Sequence, residues 1–285
     1  MSTLQSRTVF MSGGSRGIGL AIATRLAAAG ANIALIAKTD QPQARLPGTI
    51  HTAAAAIEEA GGAALPIVGD IRFEDQVADA VAATVDRFGG IDICINNASV
   101  LNLASMSEMS IKQFDLLQQI NARGTFVVTK TCLPYLLASD HAHVLSLSPP
   151  LNVEPRWLAG NSAYTLSKYG MTMITLGLAA DQPTVAANCL WPRTAIRTAA
   201  VENLLGGEES IARSRTTAIM ADAAYEVLRR SPAEQSGRAL IDDEVLAAAG
   251  ITDLARYHPD GEEADLMPDF FIAEVPRSSD GLLRR

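Results

Sequence analysis

The sequence predicts an α/β fold, with one parallel sheet of about seven strands and helices on both faces. Three observations carry that expectation. Short apolar runs alternate with longer segments whose apolar residues recur at three and four. Glycine, proline and small polar residues punctuate the joins. The strand-like runs are separated by helix-like ones rather than by hairpin turns, and parallel strands need such crossovers.

Residues 7–12, RTVFMS, read as the first buried strand. It opens directly into GGSRGIG. Gly13, Gly14, Gly17 and Gly19 accept backbone angles and close approaches that a side chain forbids. Ile18, Ile22, Leu26 and Ala29 then mark a helix face. A strand that enters a glycine loop and leaves as a helix points amide groups at the loop, and such amides bind a pyrophosphate. The spacing is GxxxGxG, not the GxGxxG of the common dinucleotide fingerprint. The loop Gly13, Gly14, Ser15, Arg16, Gly17, Ile18 and Gly19 is therefore the candidate nucleotide site, and a plain turn is the competing reading. Residues 32–37 form the second strand. Lys38 and Thr39 follow it, where many NAD-binding domains place an acidic residue for the ribose 2′-hydroxyl. Lys38 and Arg16 would attract a 2′-phosphate, so NADP is expected, with NAD possible; the neighbouring Asp40 works against this.

Residues 41–49 read as a loop, 50–60 as a helix and 64–68 as a strand. Asp70, just beyond, either approaches the adenine or caps the next helix. That helix carries Val77, Val81, Val85 and Phe88 and stops at Gly89-Gly90. The strand at 92–95 ends in Asn96-Asn97-Ala98-Ser99, and small polar residues such as Asn97 suit a crevice beyond strand ends. Helices are expected from 110 into 121 and from 126 to 137, then a fifth strand at 143–148. A helix at 162–180, a strand at 185–191, a helix at 221–230 and a strand at 239–241 follow.

The helix at 162–180 bears the candidate chemistry. Tyr164 and Lys168 lie four apart and share one face. A tyrosine ionises near pH 10, and an adjacent ammonium favours the phenolate and moves that value down. A tuned phenol passes a proton to or from an alcohol or carbonyl oxygen. Ser148, at a strand end, is placed to hold that oxygen. An ordinary helix pair is the competing reading, and the glycine loop argues against it.

Composition narrows the class. The 285 residues show no internal repeat or linker, so one dinucleotide-binding and catalytic domain spanning residues 1–285 is expected. An acidic C-terminal extension begins at about 250, and it either wraps the fold or meets a partner subunit. A net charge of −8 argues against a general nucleic-acid or anionic-membrane surface. Cys94, Cys132 and Cys189 are odd in number and widely spaced, which fits reduced core thiols and a cytoplasmic setting. The first residues lack the apolar stretch of a signal peptide, and no apolar run reaches membrane-spanning length. His51, His141, His143 and His258 lack metal-ligand spacing, so no metal is expected. Trp157 and Trp191 line a substrate cavity or pack the core, and residues 204–211 form a lid or a plain loop.

Together these residues resemble the short-chain dehydrogenase/reductase family. The match is SGGSRGIG at 12–19, NNAS at 96–99, NARG at 121–124, Ser148 and YTLSK at 164–168, in the family's order across roughly residues 7–245. More narrowly, KTDQPQARLPGTIHTA, GGIDICINNAS, SPPLNVEPRW, AYTLSKYGM and WPRTAIRTAA look like the hydroxysteroid dehydrogenase-like subfamily, as does the late MPDFF. Some members carry a sterol-carrier domain, and this chain is expected to stop before one. The resemblance implies a doubly wound Rossmann-type sheet. It implies Tyr164 as proton donor or acceptor, and Lys168 as the group that lowers its pKa and holds the nicotinamide ribose. It further implies that Ser148 orients the substrate oxygen and that Asn121 supports a proton-relaying water. The glycine loop, Lys38, Asp70, Asn97 and the segment after Pro192 become cofactor contacts.

The chain departs from the family's pattern in three places. Ser99 replaces the usual glycine, and Pro192-Arg193 replaces the usual Pro-Gly. The family's serine commonly lies thirteen residues before the tyrosine, whereas Ser148 lies sixteen before Tyr164. An alignment on the strand instead puts Pro149 at the catalytic place. The activity implied is an NADP-preferring oxidoreductase that interconverts an alcohol and a carbonyl compound. Its substrate would be small and apolar, and the assembly a homodimer or homotetramer. The alternative is a nucleotide-binding regulatory or scaffold protein with the same fold, which the departure near Ser148 favours.

Overall fold

The structure, a computed structural model, describes residues 4–42, 48–204, 207–258 and 261–272. Its first half runs β1 (Thr8–Ser12), α1 (Gly17–Ala27), β2 (Asn32–Ala37), α2 (Ile50–Glu59), β3 (Ala64–Val68), α3 (Glu74–Phe88) and β4 (Ile93–Asn96). Next come α4 (Ile111–Leu117), a π turn (Gln118–Arg123), α5 (Gly124–Leu136), β5 (His143–Ser146), α6 (Pro155–Leu158) and α7 (Ser162–Asp181). The remainder is β6 (Ala186–Trp191), α8 (Ala199–Leu204), α9 (Gly207–Ala212), α10 (Ala218–Leu228), β7 (Ala239–Ile241) and α11 (Asp242–Ala248). The strands form one sheet in the order β3-β2-β1-β4-β5-β6-β7, parallel throughout. This is the doubly wound Rossmann-type arrangement that the family resemblance implied, with the helices on both faces that the alternation predicted.

Alternation along each strand builds both layers. Val9, Met11 and Leu35 pack on one face with Leu26 of α1 and Ile219 of α10. Phe10, Ala34 and Ile36 point to the other, against Val77 of α3 and Val128 of α5. Both faces are covered, so the strands read as continuous apolar runs. Each fully buried leucine or isoleucine contributes roughly 1.5–3 kcal/mol. Local signals set the ends. Thr49 and Thr52 form a reciprocal capping box at the start of α2, as do Ser110 and Gln113 for α4. Among the described residues no helix is long and apolar enough to cross a membrane.

The structure corrects four sequence readings. The fifth strand ends at Ser146, not at 148. Side chains of α7 take the carbonyls beyond it: Lys168 Nζ donates to Leu147 O at 2.7 Å and Thr172 Oγ1 to Pro149 O at 2.7 Å. Pro149 and Pro150 have no amide to offer a ladder in any case. The two helices expected at 110–121 and 126–137 are one rod with a π turn around Asn121. Asp70 does not cap α3, whose N-cap is Phe73. Residues 207–211 of the expected lid or loop lie in a helix, while 205–206 fall outside the described residues.

Candidate active site

The order of strands reverses direction between β1 and β4, where Ser12 pairs with Asn96. Connections leave that point toward opposite halves of the sheet, which opens a crevice beyond the strand ends. A cavity of about 1600 Å³ occupies it. This exceeds the roughly 300–1,000 Å³ of ordinary ligand pockets and suits an elongated ligand.

The glycine loop forms one wall. Gly13 has φ +76°, and a Cβ there would lie 2.6 Å from Ala98 Cα. Only glycine lets β1 and β4 meet this closely. A Cβ on Gly19 would lie 2.4 Å from Asn97 Nδ2. That carboxamide donates to Gly13 O at 2.6 Å and ties the end of β4 to the loop. Gly13, Ser15, Arg16, Gly17, Ile18 and Gly19 all line the cavity. Gly14 does not: a Cβ there would meet Leu35 and Met11, so this glycine serves packing under the loop. The N-cap of α1 is Arg16, with no side-chain cap, so the first amides of the helix are left to whatever enters the crevice.

Lys38, Asp70 and Asn97 line the same cavity. Lys38 Nζ lies 3.3 Å from Asp70 Oδ2, and Arg72 Nη2 reaches that oxygen at 2.6 Å. Burial pushes the Asp70 carboxyl upward, but the hydrogen bonds from Arg72 and Lys38 outweigh it and hold the group below its usual range. Arg16 Nη2 donates to Gly48 O at 2.9 Å, while its buried Nε lacks a partner among the described residues. Asp40, which stood against a cationic pocket in the sequence, is not on the wall. Its carboxylate meets His51 Nε2 at 2.6 Å.

At the far end of the cavity stand Tyr164 and Lys168, one turn apart on α7 and both on the lining. Tyr164 is 6% exposed and Lys168 2%. The ammonium lies 5.0 Å over the Trp191 ring and 3.5 Å from Ser99 Oγ. Burial lowers the Lys168 pKa to about 7, with the partly buried Asp269 opposing that fall. The Tyr164 phenol moves opposite to the sequence expectation. Burial raises it well above its ordinary value, and the charge of Asp269 adds to the rise. Desolvation therefore exceeds the help of a nearby cation in the protein alone.

Ser148 and Asn121 stand off the cavity wall. Ser148 is fully buried, and its hydroxyl finds no hydrogen-bond partner among the described residues. A serine that orients a substrate oxygen does not follow from this placement, because Ser148 lies beyond the end of β5 and off the cavity wall. Asn121 is likewise buried and commits its carboxamide to structure. It accepts from Val100 N at 2.8 Å and donates to Val100 O at 3.0 Å and Ser167 Oγ at 2.9 Å. It thus holds the loop after β4 against α7. The π turn that aims it had no sequence signal, although such turns often mark functional sites. The segment after Pro192, expected at the site, reaches the lining through Arg197 and Thr198 and, in α8, Asn203; the approach of Asp269 to the pair was missed. The family resemblance pointed to that segment; nothing local hinted at Asp269.

A family model described as short chain dehydrogenase matches residues 7–207. Hydroxysteroid dehydrogenase-like protein 2 of Danio rerio is 48% identical over 275 residues, covering 94% of this chain and 64% of the relative. The Homo sapiens protein of that name is 45% identical over 277 residues, covering 95% and 64%. The chain thus spans 64% of the length of these curated relatives. A solved short chain dehydrogenase from Mycobacterium thermoresistibile superposes with a TM-score of 0.89 at 53% identity, covering 95% of this chain and 96% of that one.

Proposed function

The chain belongs to the short chain dehydrogenase family, and from that premise we propose that it interconverts an alcohol and a carbonyl compound by hydride transfer, with NADP preferred. The observation that carries the reading is the sharing of one cavity by the glycine loop, Lys38 and Arg16 at one end and Tyr164 and Lys168 at the other. The residues fit a dinucleotide. Gly13 and Gly19 let the loop close tightly on Ala98 and Asn97 while still lining the crevice, and the uncapped start of α1 suits a pyrophosphate. Lys38 and Arg16 suit a 2′-phosphate, and the turn of Asp40 toward His51 removes the nearest objection. Asp70 and Asn97 would complete the cofactor wall.

A bound nicotinamide supplies or accepts the hydride. Tyr164 Oη gives a proton to the carbonyl oxygen in reduction and takes it back in oxidation. Lys168 holds the nicotinamide ribose, and its charge, kept by the ligand's own negative charge, draws the phenol back down. Asn121 keeps the Val100 loop and α7 in register, and its part in a proton-relaying water belongs to the same reading. The aromatic and aliphatic residues around Tyr164, among them Trp191, Val100 and Leu101, favour a small apolar substrate. A single domain, a homodimer or homotetramer and a cytoplasmic setting complete the proposal.

A nucleotide-binding regulatory protein with little turnover is the second reading, favoured by the withdrawal of Ser148 from the cavity. NADPH consumption across a panel of carbonyl compounds, wild type against Tyr164→Phe, separates the two. The expected outcome is a loss of roughly 10²–10⁴-fold in rate with NADPH binding retained. Equal inertness of both proteins, with NADPH still bound, would favour the regulatory reading. In fluorescence titrations NADPH should bind at least about tenfold tighter than NADH.

A further inference from the structure

Residues 265–272 lie as a strap beside the site. The strap is anchored along its length. Arg213 Nε donates to Asp265 O at 3.0 Å, Ala195 N to Met267 O at 2.8 Å, and Asp269 N to Arg193 O at 3.0 Å. Thr194 and Pro268 form an antiparallel bridge. Nearer the cavity, Trp191 Nε1 donates to Phe270 O at 3.0 Å and Asn152 Nδ2 to Phe271 O at 3.3 Å. Phe271 has φ +70°, a region that side-chain-bearing residues rarely enter. Such an angle persists only where surroundings over-determine it, and here the anchors hold the backbone so that the ring is delivered inward.

That ring is fully buried and sits at the centre of an aromatic cluster. Its centroid lies 6.3 Å from that of Tyr164, with 29° between the planes. It lies 5.2 Å from Tyr169, 5.8 Å from Trp157 and 6.1 Å from Trp191. Phe271 does not line the cavity; it stands behind Tyr164 and Trp191, which do. Trp191 in turn lies under the Lys168 ammonium. One side chain from the far end of the chain therefore touches the ring of the proposed proton donor and the ring beneath its cation.

From this placement we infer that Phe271 is a positioning residue, seating the Tyr164 ring so that the phenol faces the cavity and shielding the back of that ring from water. The inference rests on the proposed chemistry of Tyr164, yet the shielding is measurable without turnover. Phe271→Gly removes the ring and tolerates the positive φ, while Phe271→Leu keeps bulk without the flat face; both are made in the full chain. Labelling with N-acetylimidazole and peptide mapping should modify Tyr164 at least about fivefold faster in Phe271→Gly, with the remote Tyr257 unchanged and Phe271→Leu in between. At saturating NADPH, kcat for any carbonyl compound the wild type reduces should fall at least about tenfold in Phe271→Gly, because small displacements of a reacting group cost heavily. NADPH affinity should stay within about twofold, since the strap lies away from the glycine loop. Unchanged labelling of Tyr164 overturns the inference; so does an equal rise at Tyr257, or faster labelling with unchanged kcat. A wild type that reduces no carbonyl compound sinks the reductase reading instead, and the labelling comparison still decides where Tyr164 is seated. If Phe271→Gly does not fold, the same comparisons on Phe271→Leu decide.

Discussion

Lys168 carries opposing demands at a single residue. Its stem is buried and its ammonium is held by one carbonyl, Leu147 O, so the protein alone brings its pKa down to about 7. Folding therefore strips its proton between about 7 and the ordinary value of about 10.4, where the unfolded chain still binds one. The unfolded state then holds more protons, so the contribution of this group to stability rises with pH across that window and is lost as pH falls through about 7. Lys168→Met keeps much of the volume and removes the charge. Its melting temperature should exceed that of the wild type by a few degrees at pH 7, and the gap should narrow by pH 9.5, in cofactor-free calorimetry. A gap that stays constant with pH would mean the burial cost is absent. The same variant should bind NADPH more weakly, which places the residue's value in function rather than in stability.

The π turn is the clearest case at the level of an element. Six residues, Gln118–Arg123, insert an extra residue's worth of winding between α4 and α5 and turn Asn121 toward the Val100 loop and Ser167. Asn121 is fully buried, so losing its carboxamide strands two backbone groups of Val100. Asn121→Ala should destabilise the fold by about 2–4 kcal/mol. At this chain length that lowers the melting temperature by roughly 3–7 °C. A fall below about 2 °C would mean that water replaces the side chain freely. Helix α7 shows the complementary lesson. Its face was legible, since Tyr164 and Lys168 share it by spacing. What its other residues do was not: Lys168 and Thr172 cut β5 short by taking carbonyls from residues 147 and 149, contacts about twenty positions distant.

On the scale of the whole molecule, everything converges on the gap between β1 and β4. Gly13 sits where the two strand ends touch, with Ala98 backbone within reach of any added carbon. Gly13→Ala would push the strands apart and carry strain from φ +76°. Isothermal titration should show NADPH affinity lowered at least about tenfold, beyond any loss of stability. An unchanged affinity would place the dinucleotide elsewhere. Gly14→Ala is the useful contrast, because its Cβ would strike Leu35 and Met11. It should reduce stability, with a smaller effect on binding.

The order of strands and helices, the two-sided core and the glycine loop were determined by the sequence itself, because periodicity and backbone permissiveness act over a few residues. The cavity wall from Gly13 to Asn97 was legible for the same reason: each residue stands at the end of a strand that its own neighbours define. The tertiary structure alone decided which charges face the crevice. Asp40 turns to His51, Ser148 lies buried off the cavity wall, and Phe271, late in the sequence, packs near Tyr164. Those outcomes depend on contacts between segments separated by as many as 107 residues, from Tyr164 to Phe271, and on burial that raises the Tyr164 phenol despite its neighbouring cation. Burial is a property of the packed whole, and no local spacing encodes it.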